Sequence, residues 1–181
     1  GDMSTLKISL DPAASVLIVY TPEKKGPEYV PRQPLDGQSF PLSGTWDLTL
    51  EKVYDKPRDL PDFTLHDFKD DPALNSFAGV SHYKKSFKVG EASAVRYLDL
   101  GTVHGISEVT LNGKTIGAKW YGYHVYDVTG VLRTGINTLD IKVTTVLGNY
   151  AKSLKENVVA HQWTKKQPLY SMGMLGPVRF V

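Results

Sequence analysis

Cysteine is absent from all 181 residues of the chain. Its absence excludes a disulfide framework, and it also excludes metal sites built on thiolates, such as the structural zinc sites of small domains. It does not fix the cellular compartment, because many exported proteins also lack cysteine.

An excess of charge of one sign is also absent. Lysine and arginine together number 21, against 19 for aspartate and glutamate, and the basic residues occur only in pairs such as Lys24-Lys25, Lys84-Lys85 and Lys165-Lys166. Nucleic-acid recognition usually needs a concentrated basic face, so we expect no nucleic-acid partner.

Long apolar runs are missing as well. The strongly apolar stretch from Ser15 to Tyr20 is far shorter than the roughly 20 residues that cross a bilayer, and no segment has the layout of a signal peptide. We therefore expect no membrane insertion. The chain opens with Gly1-Asp2-Met3 rather than an initiator methionine, so we expect it to begin inside a longer protein.

The composition is that of a chain that can bury a core. Hydrophobic residues make up 41% and charged residues 22%, which is close to ordinary globular usage. Residues 1–21 hold two alternating runs, Leu6 to Leu10 and Val16 to Tyr20, which predict strands that end a preceding domain or pack on the main one. The five prolines in residues 22–41 predict an extended connector, so the main domain is placed at residues 42–181.

Short strands are predicted along most of residues 42–181. Alternation such as that of Trp46, Leu48 and Leu50 recurs about every ten residues, with turn-forming residues between the runs. Residues 56–76 and 148–171 are interpreted as long loops. Roughly eight short strands without a convincing helical pattern predict an all-β fold, an antiparallel β-sandwich of the jelly-roll type.

The sharpest local signal is Asn112-Gly113, which stands between two alternating arms. This dipeptide is typical of a two-residue type I′ hairpin, because both central residues must adopt positive φ. Such a loop predicts that Val109 lies opposite Ile116 and that Thr110 lies opposite Thr115.

A series of short motifs follows in an order that is familiar. The motifs are Phe77-Ala78-Gly79-Val80, Leu98-Asp99-Leu100-Gly101, Val109-Thr110-Leu111-Asn112-Gly113-Lys114, Gly122-Tyr123, Tyr126-Asp127-Val128-Thr129 and Gly135-Ile136-Asn137-Thr138-Leu139. Their order resembles the sugar-binding β-sandwich of family 2 glycoside hydrolases and the related C-terminal domain of family 106 α-L-rhamnosidases. The closing Met174-Leu175-Gly176-Pro177-Val178 favours the second, although Met172-Gly173 stands where that family usually has Ser-Gly.

The resemblance covers about residues 42–181 and carries several implications. It implies a galactose-binding-like jelly roll that serves as a non-catalytic accessory domain of a multidomain glycoside hydrolase, with an α-L-rhamnosidase-like parent. The implied partners are the catalytic domain of the parent chain and an oligosaccharide. The implied location is the periplasm or the extracellular space.

No catalytic residue is assigned. A glycosidase needs two carboxyl groups that face each other across the scissile bond. The acids here stand in simpler contexts: Asp127 at a strand end, Asp99 and Asp140 at solvent-alternating positions, and those between Asp55 and Asp71 in a loop. We interpret them as structural or solvated side chains.

No cofactor is expected either. The five histidines are scattered, without an H-E-x-x-H pattern, so a transition-metal site has little support. A structural Ca²⁺ ion is common in this class of fold, but no loop has the spaced acids of an EF-hand. The sequence therefore leaves the question of a metal site open.

Aromatic residues are concentrated between Trp120 and Tyr126, where they favour carbohydrate binding. Aromatic faces pack against sugar C–H surfaces, and their polar groups supply hydrogen bonds. The alternative is an aromatic-rich strand that packs into the core or against another domain, which we favour for Tyr123 and Tyr126. Trp120 and Tyr121 precede Gly122 and are the better surface candidates, and the candidate set also includes Tyr123 and His104.

A second candidate region is the long segment 148–171, which contains Asn149 and Trp163. Long loops are often functional, and we include both residues among the candidate sugar-binding side chains. Trp163 is equally well explained as a ligand platform or as an interdomain anchor. Two functions thus compete, a carbohydrate-binding domain and a purely structural buttress of a catalytic barrel, with a slight preference for sugar binding.

Overall fold

The computed structural model describes residues 5–10, 14–20, 23, 39–52, 55–91 and 95–181. Most of its regular structure is in antiparallel sheets. The larger sheet has six strands in the order β3-β2-β4-β10-β7-β8. Its strands are β2 (Trp46–Glu51), β3 (Arg58–Phe63), β4 (Val80–Val89), β7 (Ile106–Leu111), β8 (Lys114–Lys119) and β10 (Gly135–Thr144).

A second sheet of four strands has the order β1-β12-β5-β9. A separate two-stranded ribbon pairs β6 with β11. The strands of these two units are β1 (Phe40–Pro41), β5 (Tyr97–Asp99), β6 (Thr102–His104), β9 (Val125–Asp127), β11 (Gly173–Gly176) and β12 (Arg179–Phe180).

The hydrophobic core is built from alternate residues of these strands. In β10, Asn137, Leu139, Ile141 and Val143 are buried while the residues between them face outward, the pattern of a strand with one face covered. The largest fully buried side chains come from several strands and loops and include Trp46, Phe68, Tyr83, Leu98, Leu111 and Phe180. The predicted antiparallel β-sandwich is confirmed.

The predicted hairpin is present between β7 and β8. Asn112 and Gly113 have φ of 53° and 78°, as a type I′ turn requires. Thr110 pairs with Thr115 as expected, but Val109 faces Gly117 rather than Ile116, because the register shifts between Val109 and Thr110. A bulge of this kind places two residues of one strand opposite one of the other.

The two predicted loops contain regular structure. Residues 56–76 include strand β3 and a 3-10 helix at Phe68–Asp70, and residues 148–171 include helices α1 (Gly148–Ser153) and α2 (Val158–Thr164). Strand β3 is an edge strand of the larger sheet, and Phe63 is its only buried residue. Its polar composition hides the alternation on which the sequence prediction depended.

The described residues near the N-terminus form no strand, although alternation predicted two. Residues 5–10 and 14–20 lack regular structure, and Leu17 and Tyr20 are exposed. A strand is stable only where a partner supplies the ladder hydrogen bonds and a covered face, and neither sheet nor the ribbon includes residues 5–10 or 14–20 as a strand. Most of the predicted connector lies outside the described residues, and the domain boundaries remain a prediction.

Candidate functional site

One end of the larger sheet carries most of the candidate residues. Thr144, the last residue of β10, pairs with Val80 on one side and Ile106 on the other, and Lys119, the last residue of β8, pairs with Ser107. The loop after Lys119 and the segment after Thr144 therefore leave the sheet at the same end, on either side of the start of β7. Large exposed hydrophobic residues follow at this end, and we call them the end surface: Ile106, Trp120, Tyr121, Tyr123, Val146 and Leu147.

Trp120 and Tyr121 form a pair at this end. Their ring centroids lie 4.9 Å apart at an interplanar angle of 80°, and the side chains are 73% and 41% exposed. Gly122 follows with φ of 73°, a left-handed conformation that suits glycine and turns the chain back towards β9. The pair offers the edge-to-face aromatic surface that could contact a sugar or another domain.

Tyr123 and Tyr126 have different surroundings, although we predicted the same for both. Tyr126 lies in β9 and is buried, whereas Tyr123 precedes the strand and is exposed. The alternation of a strand applies only within the strand, so it does not determine the exposure of Tyr123. Tyr123 therefore belongs to the end surface.

A buried polar chain lies beneath this surface, and sequence reasoning did not identify it. The Ser107 hydroxyl is 2.5 Å from Nδ1 of His124 and 2.6 Å from the Tyr126 hydroxyl, which donates to the carbonyl of Ser107 at 2.9 Å. All three residues are buried. A serine beside a histidine suggests a nucleophile pair, but Ser107 is fully buried. These hydrogen bonds instead hold the loop before β9 against β7.

Burial shifts the pKa of both His124 and Tyr126. Burial lowers the pKa of His124, and electrostatic interactions with Lys119 and His104 lower it further. Burial also raises the pKa of Tyr126, against the lowering effect of its hydrogen bond with Ser107. His124 is therefore held neutral near pH 7.

His104 lies at the same end, in β6. It is exposed, it pairs with Gly173 of β11, and it is close enough to His124 to affect the latter's pKa. Because only Gly105 separates His104 from Ile106, His104 borders the end surface.

The two short helices extend from this end as a helical segment, residues 148–171. Asn157 begins α2 by accepting a hydrogen bond from the backbone N–H of Ala160 at 3.0 Å, the usual role of an N-cap side chain. Lys152 of α1 donates to the carbonyl of Thr164 at 3.0 Å. These bonds hold the two helices against each other.

Asn149 closes the base of the helical segment. The side chain is 1% exposed; its amide N donates to the carbonyl of Tyr170 at 2.8 Å, and its amide O accepts from the Tyr170 N–H at 2.8 Å. Both ends of the amide are thus occupied by backbone. Among the candidate sugar-binding residues, Asn149 is the one whose polar groups point into the protein.

Trp163 lies on α2 and is 76% exposed. Val158 and Val159, on the same helix, are also exposed. An exposed tryptophan with exposed aliphatic residues on the same helix presents an apolar area that suits a protein contact at least as well as a sugar.

The acids that the structure ties most closely have structural roles. Burial acts to raise the pKa of Asp67, but hydrogen bonds with Ser171, Met172 and Lys69 bring it below the usual value. The pKa of Asp127 is lowered in the same way by Thr129 and Arg96.

Asp99 differs from its sequence interpretation. We expected it at a solvent-alternating position, but it is buried and pairs with Arg179, whose Nε and Nη2 both lie 3.0 Å from Oδ2. Strand β5 lies between β12 and β9 within the smaller sheet. The ion pair joins the last strand to the middle of the smaller sheet.

Among the described residues, no group of three or more His, Cys, Asp or Glu side chains could hold a metal ion. In the same part of the chain, no helix has the length and apolar character needed to cross a membrane.

Comparison with known proteins finds similar sequences and a similar fold. No family model matches the chain. A protein of Formosa agariphila named "Putative beta-glucuronidase" is 28% identical over 185 residues, which cover 78% of this chain and 15% of that protein. An exo-β-D-glucosaminidase of Streptomyces avermitilis is 31% identical over 53% of this chain and 11% of its own length.

The solved structure of a rhamnosidase from a Novosphingobium species has the same fold over 83% of this chain and 16% of its own, with a TM-score of 0.61 and 23% identity. The resemblance to a glycoside hydrolase β-sandwich domain is confirmed. The chain spans only 11–15% of the length of the two curated relatives. It therefore corresponds to one part of much larger proteins.

Proposed function

We propose that the chain is a non-catalytic accessory domain of a multidomain glycoside hydrolase, and that its end surface contacts the catalytic domain of the parent chain. The observation that carries the proposal is the concentration of exposed apolar side chains at one end of the sandwich, including Trp120, Val146 and Leu147. Exposed apolar patches of this kind mark contact surfaces, and interdomain contacts resemble protein interfaces.

The size of the relatives supports this partner. Each curated relative named above extends far beyond the part that matches this chain, so a domain of this kind has covalently attached neighbours. Three chain segments meet at the end surface: the β6–β7 corner, the loop after β8 and the segment after β10. Such a surface is formed only by the folded sandwich, which suits a rigid support for a neighbouring domain.

Hydrogen–deuterium exchange tests the contact. Backbone amides of residues 120–124 and 146–150 should exchange several-fold more slowly in the full-length parent protein than in the 181-residue chain. The β7–β8 turn at Asn112-Gly113, at the opposite end of these strands, is the internal control and should exchange equally in both. Equal exchange at the end surface in the two proteins would refute the contact.

The bonds that three of the aspartates make support the non-catalytic part of the proposal. Asp67, Asp99 and Asp127 are engaged in structural bonds, and the Ser107–His124 pair is buried. The isolated chain should release no chromophore from nitrophenyl rhamnosides, galactosides or glucuronides above a heat-treated control. Turnover that disappears when two of its acids are replaced would overturn this part.

Carbohydrate binding is the second candidate, and the exposed Trp120–Tyr121 pair favours it. The pair borders Tyr123 and His104, which could supply hydrogen bonds to a sugar. A glycan array of the 181-residue chain should then show binding that Trp120→Ala removes, while Trp163→Ala tests the helical segment separately. No binding to any glycan by the wild-type chain would leave the contact with the catalytic domain as the function.

The identity and location of the parent remain part of the proposal. An α-L-rhamnosidase-like parent rests on the order of the sequence motifs, and the rhamnosidase structure supports only the shared fold. A periplasmic or extracellular location rests on the resemblance to enzymes that degrade polysaccharides. Activity assays of the full-length protein on rhamnosides and glucuronides distinguish the parent types.

A further inference from the structure

A small notch opens at the edge of the larger sheet, between the β2–β3 turn and the loop that precedes β4. We call it the basic notch, and its lining includes Leu50, Lys52, Lys56, Arg58, Leu74 and Phe77. Its volume is about 190 Å³, below the roughly 300–1,000 Å³ of small-molecule sites. The notch is therefore of a size for one side chain of a partner rather than for a free ligand.

The base of the notch is apolar and its rim is basic. Leu50, Leu74 and Phe77 are buried, whereas Lys56 and Arg58 are exposed. Leu50 and Arg58 lie directly opposite each other in β2 and β3, so their side chains share one face of the sheet. An occupant therefore meets hydrocarbon at the bottom and cations at the opening.

The rim carries an excess of positive charge. Its basic side chains are those of Lys52, Lys56 and Arg58, and its one acid, Asp55, is already 3.4 Å from the ammonium of Lys52. No acid among the described residues forms an ion pair with Lys56 or Arg58. A guanidinium pairs best with a carboxylate, to which it can donate two parallel hydrogen bonds. The rim is thus complementary to a partner that carries a carboxylate.

Hydrogen bonds within residues 71–77 hold one wall of the notch in place. The backbone N–H groups of Leu74 and Asn75 donate to the Asp71 carbonyl at 2.9 and 2.8 Å. The N–H of Phe77 donates to the carbonyl of Leu74 at 2.8 Å. A preformed cavity costs a partner less entropy on binding than one that must first be ordered.

The notch lies at the same end of the larger sheet as the end surface. Glu51, the last residue of β2, stands in the same row of paired residues as Ile106, three strands away. Neighbouring strands are about 4.8 Å apart, so these two residues are separated by roughly 14 Å. The carbonyl of Gly79, two residues after Phe77, accepts from the N–H of Thr145 at 3.0 Å, directly before the part of the end surface that follows β10. A domain that covers the end surface can therefore reach the notch.

We infer that the neighbouring domain which contacts the end surface inserts one apolar side chain into the basic notch and places a carboxylate of the same segment against Lys56 and Arg58. The inference rests on the contact proposed above and adds the chemistry of the partner. An apolar side chain alone leaves the two cations unpaired. An acidic side chain alone puts its carboxylate against the buried apolar base, where desolvation is unfavourable.

An NMR titration of the 181-residue chain with N-acetyl-leucine tests the notch, because this probe joins an apolar side chain to a carboxylate. N-acetyl-leucinamide lacks the charge and N-acetyl-glycine lacks the side chain. N-acetyl-leucine should produce saturable shifts in the amides of Leu74, Ser76 and Phe77, and both control probes should bind several-fold more weakly. Arg58→Gln should weaken N-acetyl-leucine binding several-fold. Lys114→Gln, an exposed cation at the far end of the sheet, is the matched control and should leave binding unchanged.

Three results would overturn the notch as the site for such a segment. The first is equal affinity for the three probes, or an equal effect of the two substitutions. The second is tighter binding of inorganic phosphate than of N-acetyl-leucine, since the notch would then select a free anion. The third is self-association of the isolated chain that Arg58→Gln abolishes, which would assign the notch to a second copy.

Hydrogen–deuterium exchange of the full-length parent separates this inference from the proposed contact. Residues 73–77 should exchange more slowly there than in the 181-residue chain, and Arg58→Gln should reverse that protection while residues 120–124 stay protected. Protection of residues 120–124 alone would overturn the inference and leave the contact at the end surface standing. Equal exchange of both segments in the two proteins would refute the contact, and the inference with it.

Discussion

At the scale of single residues, the buried amide of Asn137 stabilises the corner between β9 and β10. Asn137 is fully buried; its amide N donates to the carbonyls of Arg133 and Gly135, and its amide O accepts from the Arg133 N–H and from the side chain of Asn112. These side-chain hydrogen bonds thus add to the backbone bonds from Val131 and Leu132 to the Val128 carbonyl in holding the corner.

Replacing Asn137 by alanine should therefore be costly. Asn137→Ala removes the hydrogen-bond partner of three backbone groups, on Arg133 and Gly135, and of the Asn112 side chain, and we expect a loss of roughly 2–4 kcal/mol in the free energy of unfolding. Urea denaturation followed by tryptophan fluorescence measures it. Lys142→Gln, an exposed change on the same strand, should stay within about 0.5 kcal/mol, and an equally small effect of Asn137→Ala would refute this account of the corner.

His124 makes the stability of the domain depend on pH. Burial, with Lys119 and His104 nearby, lowers the pKa of folded His124, whereas in the unfolded chain its pKa lies near the ordinary histidine value of about 6.5. The unfolded state therefore binds more protons as the pH falls through that value. The contribution of His124 is fully present above it and is lost as the pH falls towards the folded pKa.

The melting temperature should accordingly drop as the pH is lowered from about 7 to about 5, where an ordinary histidine titrates. His124→Gln removes the titrating group and should flatten this part of the profile, while His161→Gln on the exposed face of α2 should leave it unchanged. Parallel profiles for the wild type and His124→Gln would assign the pH dependence to other groups.

At the scale of elements, one close backbone approach joins the two strands of the β6–β11 ribbon at its end. Gly101 forms an isolated bridge with Gly176, and a Cβ built on Gly101 would lie 2.4 Å from the carbonyl carbon of Gly176. Backbone atoms cannot move aside as a flexible side chain can, so only glycine fits there.

A pair of alanine substitutions separates the effect of this contact from that of backbone strain. Gly101 and Gly113 both have positive φ, at 67° and 78°, but a Cβ on Gly113 would meet no atom within 4 Å. Gly113→Ala should cost only the roughly 1–2 kcal/mol of a left-handed alanine, and Gly101→Ala should cost clearly more. Equal losses in thermal or urea unfolding would show that the Gly101–Gly176 contact adds nothing.

The sequence predicted those elements that depend on local signals. The Asn112-Gly113 turn and the alternating strand around Trp46 are specified by their own residues, so both could be read in advance. Strand β3 could not, because its polar residues form an edge strand whose pairing comes from β2 rather than from its own composition. The helices in residues 148–171 are each seven residues or shorter, too short for their periodicity to stand out.

The candidate site was predicted in part for the same reason. Aromatic concentration around Trp120 is visible in the sequence, and exposure of this residue follows from its place in a turn. The inward position of Asn149 and the partnership of Ser107 with His124 arise from segments far apart in sequence. Only the tertiary structure brings them together.

At the scale of the whole molecule, the sandwich should not need its first residues. Residues 5–10 and 14–20 add no strand to either sheet, whereas β1 at Phe40–Pro41 pairs with β12, and the Leu42 N–H donates to the Val178 carbonyl at 2.8 Å. A chain that starts at residue 22 should keep the melting temperature of the full chain within a few degrees.

A chain that starts at residue 43 is the matched comparison. It lacks β1 and the Leu42 bond, so it should melt at a clearly lower temperature, as measured by circular dichroism. A large loss from removing residues 1–21 alone would place those residues within the sandwich and contradict the predicted boundary.

The double hydrogen bond between Asn149 and Tyr170 has a consequence for how such a domain can change. It fastens together two residues that are 21 positions apart in the sequence, so the sheet beneath experiences the same geometry whatever lies between them. Because the entropy of closing a loop rises only slowly with its length, insertions, deletions or whole replacement segments could be exchanged there at little cost to folding. For an engineer, this base is the position at which to graft a new recognition element onto the domain.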